Sequence, residues 1–269
     1  VSRPRVLRVL PSTVVGRVAL GAVLVLLAMA LLPVDAVTND LTNRLAPPSP
    51  AHPLGTDHLG RDLLARLAAG TRLSVGFTLL AVAVSAVLGT VAGMLAGYLG
   101  GPGATLLLRI VDVLVAIPAV IVGLVLAAVL QPGLRTLLLA VVVTGWTPFA
   151  RLAYQLTLRE AGSGYVESAI ALGAGPGRVV FRHILRGVVR PLLAHGCLRF
   201  ANTLLAIAGL SFLGLGAQPP TPEWGAMLAE GRPYLFSAPG LVLAPAVAVL
   251  GVALLVTLLG RALERRWAG

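Results

Sequence analysis

The sequence contains no lysine: all 21 of its basic side chains are arginine. A standard phosphate-binding P-loop sets a lysine on the nucleotide phosphates, so that form of ATP site is excluded from this chain. The single cysteine, Cys197, lies in an apolar run. It excludes an internal disulfide and a cysteine-based metal cluster, and a lone cysteine in such surroundings packs as a small hydrophobe. Charge is scarce too, at 12% of residues, where soluble domains carry about 25%. Aromatic residues make up only 5%. There is no Ser-His-Asp order, no His-Glu-x-x-His and no acidic pair suited to acid–base work, so the chain does not read as an enzyme.

What fills the 269 residues instead is apolar: 57% are hydrophobic and the mean hydropathy is +0.93. The charges cluster between long apolar runs, the pattern expected where lipid is the solvent. A membrane-crossing helix needs roughly 20 mostly apolar residues. Six runs qualify, at residues 18–34, 73–98, 106–130, 134–150, 188–215 and 239–260. Gly101-Pro102-Gly103 and Gln131-Pro132-Gly133 are turn signals between neighbours. The fold class is therefore all-α integral membrane with six transmembrane helices. The first run follows Arg3, Arg5, Arg8 and Arg17 without a convincing small-residue cleavage site, so it reads as a retained anchor. The net charge of +11 is a topology signal of basic flanks, not a sign of nucleic acid. Arginine is denser in the tail before the first run, in the stretch from Arg151 to Arg190 and at the end than in the segments holding Arg44, Arg61, Arg66, Arg72, Arg135 and Arg232. Both termini are accordingly expected in the cytoplasm (residues 1–17 and 262–269), with the loops at 35–72 and 217–238 outside.

Small residues line the second run (Ser74, Gly76, Ser85, Gly89, Thr90, Gly93 and Gly97), which predicts close helix packing in lipid. Three ionisable residues fall within expected spans. Arg109 and Asp112 stand three apart and are expected to pair at the inner mouth, while Arg199 lies deeper with no partner nameable from sequence. Pro118, Pro148, Pro191 and Pro245 predict kinks. His52 and His58 share an outer loop without the further ligands of a convincing metal site. Glu223, Trp224, Glu230 and Tyr234 are expected to face outward, where a delivery protein would land.

The inner segment at about 159–187 reads as helix, turn, helix. Val166 to Leu172 is a short helical stretch, Gly173 suits the position after its end and Pro176 suits the first turn of a second helix. Arg178, Arg182 and Arg186 then recur at four-residue spacing on one face, placed for a protein contact or for lipid headgroups. A hairpin this short cannot bury its own apolar face, so Val166, Ile170, Leu172 and Phe181 need a partner surface.

Glu167-Ser168-Ala169, Gly173 six residues after the glutamate, and His183-Ile184-Leu185 resemble the EAA loop of ABC importer permeases. His52-Pro53-Leu54-Gly55-Thr56-Asp57-His58-Leu59-Gly60-Arg61-Asp62, its continuation through Arg66, Gly70, Arg72 and Ser74, and the blocks Ser211–Gly216 and Pro220–Gly225 are similar to those of the "C"-type subunit in the dipeptide/oligopeptide/nickel branch. Ser168 stands where the triplet has alanine, and Arg186 where the family commonly has proline. The resemblance implies a type I importer permease (MetI-like) architecture, with a five-helix core over 73–261. It implies that Glu167, Ser168, Ala169 and Gly173 form a coupling helix docking on an ATPase, with Arg178 and Arg182 near it. It implies a homologous second permease, two ATP-binding subunits carrying ATP and magnesium, and an extracytoplasmic solute-binding protein, in a bacterial cell membrane. This chain itself would bind no metal or cofactor. The substrate expected is a peptide, with a nickel or metal chelate as the alternative. A stand-alone secondary transporter would need coupled intramembrane charges, for which only Asp112 and Arg199 are candidates.

Overall fold

The computed structural model describes Met29 and residues 34–267. The run at 18–34 therefore lies outside the described residues except for Met29 and Val34, as does the tail at 1–17. The described chain is helical: α1 Leu63–Leu99, α2 Gly101–Ala116, α3 Ala119–Leu130, α4 Leu134–Ala161, α5 Gly164–Ala171, α6 Pro176–Phe212, α7 Trp224–Gly231 and α8 Gly240–Trp267. Among the described residues α1, α4, α6 and α8 are long and apolar enough to cross a membrane, and α2 with α3 forms a bent pair that could make a fifth crossing.

α1 shows why hydropathy alone misplaces a helix end. It has 37 residues, about 55 Å at 1.5 Å per residue, against roughly 30 Å of hydrocarbon. Asp62 caps it, accepting from the Ala65 amide at 2.7 Å, and ten residues of helix precede the apolar run that begins at Leu73. Its faces are inverted relative to a water-soluble helix. Ser74, Thr78, Ala81, Ser85, Gly89, Gly93 and Gly97 are buried, while Leu79, Leu80, Val87, Leu88 and Val91 are exposed. Thr78 settles its hydroxyl on the Ser74 carbonyl at 2.7 Å, within its own helix turn.

The buried stripe of α1 meets α4 in parallel. A Cβ at Gly89 would stand 2.3 Å from the Trp146 carbonyl oxygen, one at Gly93 2.2 Å from that of Ala150, and one at Gly97 2.9 Å from that of Tyr154. Small residues at four-residue spacing thus bring two backbones together where lipid supplies no hydrophobic drive. Gly76 is not part of this contact; nothing lies within 4 Å of its Cβ position.

Two parallel helices require a return path, and α2 with α3 supplies it. The single run expected at 106–130 is instead two helices bent by 86°. Pro118 lacks an amide proton and disfavours helical backbone in the residue before it. Ile117 is accordingly extended, at φ −93 and ψ 121. Pro148, Pro191 and Pro245 by contrast lie inside continuous helices. α6 and α8 pack alongside, with Cys197 against Gly260.

Residues 34–62, α7 and the adjoining ends of α1, α6 and α8 form a cap at one end, opposite α5. The cap loop is shaped by a positive-φ glycine: Gly60 sits at φ +77, and a Cβ there would lie 1.6 Å from the Asp40 carbonyl oxygen. Only glycine fits.

Gly93→Leu is expected to cost about 1–3 kcal/mol or more by forcing α1 from α4, read as a lower melting temperature in detergent. Gly76→Leu, on the open side of the same helix, is expected to leave it unchanged or raise it.

Candidate functional site

At the end opposite the cap, α4 passes through Gly162 and Ser163 into α5, which turns back into α6. Ser163 accepts from the Val166 and Glu167 amides at 2.9 and 3.1 Å. α5 stops in a Schellman arrangement: the Gly173 amide donates to the Ile170 carbonyl at 2.9 Å, and the Ala174 amide to that of Ala169 at 3.0 Å. Gly173 holds φ +83, the conformation that lets both bonds form. Pro176 then opens α6, whose Val179–Ile184 stretch is π-helical, a winding common at functional sites. The helix continues through Arg186 without a break.

Packing divides the hairpin into a held face and a free face. Val166 is fully buried against a core that includes Val179, Ile184 and Val188. Glu160, at the end of α4, lies against Gly187 of α6 and accepts the Tyr165 hydroxyl. That bond, followed by burial, pushes the Tyr165 phenol up from its ordinary value. α4, α5 and α6 are thereby braced together. On the free face Leu172 is 89% exposed and Phe181 70%, with Ile170 half exposed. Of the four apolar residues expected to need a partner, only Val166 finds one within the described chain.

The residues of the triplet sit on this hairpin. Glu167 is exposed, and its carboxylate makes no hydrogen bond or ion pair among the described residues. Ser168 returns its hydroxyl to the Gly164 carbonyl at 2.7 Å, and Ala169 is partly buried. Arg178, Arg182 and Arg186 are exposed. Arg182, Arg186 and Arg190 border an open groove beside Tyr165 and His183.

The intramembrane charges fall elsewhere. Arg109 and Asp112 do not pair: Asp112 of α2 bonds Arg151 of α4, because the bent α2 brings its carboxylate to the neighbouring helix while Arg109 stays exposed. Arg199 is partly buried on α6, and its Nε has no partner among the described residues. One turn earlier, His195 packs edge-on to Phe149 with centroids 5.2 Å apart.

At the cap end, four charges that sequence reasoning treated separately form one buried cluster. Asp57 Oδ2 accepts from Arg61 Nε at 2.6 Å and from Arg66 Nη1. Glu230 Oε2 accepts from Arg61 Nη2 at 3.0 Å and from the same Arg66 Nη1 at 2.9 Å. The Arg66 side chain is 1% exposed. Glu223 and Trp224, expected to face outward, are each 1% exposed. Glu223 caps α7 through the Ala226 amide at 2.9 Å and accepts from Ser74 at 3.1 Å. Trp224 fills the space left by Gly70 and donates Nε1 to the Leu67 carbonyl at 3.2 Å. His58 stacks on Tyr234 at 5.5 Å, and His52 Nδ1 lies 2.8 Å from Asp62. The signal that could have found the cluster was the i,i+4 pair Asp57–Arg61; its link to Glu230 spans 169 residues.

Comparison with known proteins places this geometry. Residues 89–269 match the family described as binding-protein-dependent transport system inner membrane component. The glutathione transport system permease protein GsiD of Pectobacterium atrosepticum is 40% identical over 248 residues, covering 90% of this chain and 82% of that protein. The dipeptide transport system permease protein DppC of Haemophilus influenzae is 36% identical, covering 90% and 84%. The probable D,D-dipeptide transport system permease protein DdpC of Escherichia coli is 37% identical, covering 93% and 85%. An inward-facing structure of the MetNI methionine ABC transporter is similar in fold, with a TM-score of 0.52 at 21% identity over 72% of this chain and 94% of that one.

The cap cluster generates a pH dependence. Burial pushes the Asp57 carboxyl up, but the Arg66 hydrogen bond, those from the Leu59 and Arg61 amides and the Arg61 charge outweigh it, so the group titrates below its ordinary 3.8. A depressed folded value means that ionised Asp57 stabilises the fold above pH 3.8, and that this contribution is lost as pH falls through the folded value. Melting temperature should drop across that acid window, and Asp57→Asn should flatten the drop while lowering stability at neutral pH. Arg66→Ala, which leaves two buried carboxylates short of a partner, is expected to cost roughly 3–5 kcal/mol.

Proposed function

Since the chain belongs to the family of binding-protein-dependent transport system inner membrane components, we propose that it is a membrane-spanning subunit of an ATP-driven importer of peptides, coupled through the α5 hairpin to separate ATPase subunits. One observation carries the coupling: a hairpin held from behind by buried Val166 and the Glu160–Tyr165 bond presents Ile170, Leu172 and Phe181 with no cover. An apolar face of this kind, beside a Glu167 that is unpaired among the described residues, is suited to a groove on a partner protein. Glu167, Ser168, Ala169 and Gly173 are its contact and turn residues, with Arg178 and Arg182 at its margin. This end of the molecule is the cytoplasmic one, with both termini on that side. The arginine bias supports that orientation.

The mechanism follows from rigidity. α6 runs unbroken in sequence from the hairpin to Phe212 at the cap, about 55 Å, and α4 is braced to it by Glu160. Displacement of α5 is therefore carried along two spans to the opposite end. ATP binding closes the ATPase pair, the hairpin moves with it, and the spans pass from an inward-open to an outward-open arrangement. ATP and magnesium reside on the partner chains. A homologous permease completes the pathway, and an extracytoplasmic binding protein delivers the solute.

The peptide and glutathione names of the relatives support the peptide reading and do not favour nickel. The secondary-transporter reading loses ground as well, because Asp112 is engaged by Arg151 and Arg199 makes no ion pair among the described residues.

Two experiments test this reading. The chain is co-expressed with candidate ATPases carrying a P-loop and purified gently. Wild type should retain an ATPase, whereas Glu167→Lys and Gly173→Trp should lose it while still folded; equal retention by the variants would remove the hairpin from the contact. In proteoliposomes holding the assembled importer, a labelled dipeptide should enter in an ATP-dependent manner and be displaced by unlabelled peptide, not by a nickel chelate. The reverse competition would overturn the substrate assignment.

A further inference from the structure

The cap cluster is incomplete as a hydrogen-bond network, and the gap has a definite chemistry. Arg66 spends one terminal nitrogen, Nη1, on both Asp57 and Glu230. Its other edge, the Nε–Nη2 fork, makes no hydrogen bond among the described residues, although the side chain is almost fully buried. Glu230 places Oε2 on both arginines, and its Oε1 is likewise without a partner. Leaving such groups unpaired in a buried site costs each its full desolvation penalty. Both residues line one half-open pocket of about 10 Å³, which Asp57, His58, Met227 and Leu241 border as well. That is the room roughly one water molecule needs.

Charge selects among possible occupants. Asp57, His58 and Glu230 offer ligand atoms within 4.8 Å of one another, which by itself would suit a cation. Two guanidinium groups already neutralise the two carboxylates, however, and a cation would face the donors of the Arg66 fork. An anion would satisfy the fork but would meet Glu230 Oε1. The unpaired set is two donor nitrogens, each with an N–H on the fork edge, and one acceptor oxygen, in a cluster of zero net charge. A neutral molecule with two lone pairs and a proton to give matches it.

We infer that this cavity is a binding site for a single ordered water, which accepts from Arg66 Nε and Nη2 and donates to Glu230 Oε1. Its three bonds meet the usual complement of a buried water. With the water in place each of these three atoms has a partner, and a second bridge joins α1 to α7 beside the ion pairs that already connect them to the cap loop. The inference does not depend on the transport reading.

The test uses the full chain in lipid nanodiscs. A structure resolved well enough to show ordered waters should contain one density peak within hydrogen-bond distance of Arg66 Nε and Nη2 and Glu230 Oε1, and Glu230→Met should lose it. A dry cavity, or Glu230 turned directly onto the Arg66 fork, would overturn the site. Wild-type melts in sodium chloride, sodium gluconate and choline chloride at equal ionic strength separate the occupants even where the variant does not fold. Water predicts one melting temperature in all three. A drop when chloride is replaced would make the occupant an anion, a drop when sodium is replaced would make it a cation, and either refutes the proposal.

Discussion

The close approach of α1 and α4 is the constraint from which the remaining architecture follows. Gly89, Gly93 and Gly97 let the two backbones meet at distances that a single Cβ would prevent, and Ser85 packs into the space left by Gly145. The contact is parallel, so the chain between the two helices has to recross the molecule. It does so as α2 and α3, broken at Ile117 and Pro118. The same contact sets α4 at the height where its last turns lead into α5, and Glu160 and Gly187 then fix α6 against it. Lipid gives no reward for burying leucine between helices. Removing side-chain bulk on the inner face, with leucine and valine left on the outer one, is the available route to dense packing.

The two ends of this bundle are finished in opposite ways. At the cap, polar and charged groups are turned inward and used on one another: Asp57, Arg61, Arg66 and Glu230 in one cluster, Ser74, Glu223 and Trp224 in a second. At the hairpin, Leu172, Ile170 and Phe181 are turned outward while Val166 and the Glu160–Tyr165 bond hold the segment. The first arrangement turns most of the cap's polar groups on one another within the chain. The second leaves an apolar hairpin face uncovered among the described residues, and the proposed coupling role rests on that asymmetry.

Local features of the hairpin were legible in the sequence because they obey local rules. Gly173 terminates α5 and Pro176 opens α6 for reasons that involve only a few neighbouring residues, and the small-residue stripe of α1 follows from helical periodicity. Expectations failed where a partner lay far along the chain. Arg109 is three residues from Asp112, yet Asp112 pairs with Arg151 of another helix. Glu223 and Trp224 belong to a polar, proline-rich stretch that reads as surface. They are buried because Gly70 and Ser74, some 150 residues earlier, provide the space and the hydroxyl they occupy. Arg61 and Arg66 resemble topology charges until Glu230 is brought beside them.

By itself the sequence determined the solvent, and its apolar runs of roughly 20 residues have the length at which a helix satisfies its own backbone across lipid. It determined the family too, because the blocks that carry the resemblance are contiguous. Tertiary structure alone decided which charges meet, which face of the hairpin is held and which is free, and where the long third run breaks its direction. The physical reason is range. Helix formation, capping and turn geometry depend on a few adjacent residues, whereas an ion pair or a buried face depends on which distant segment packing delivers to it.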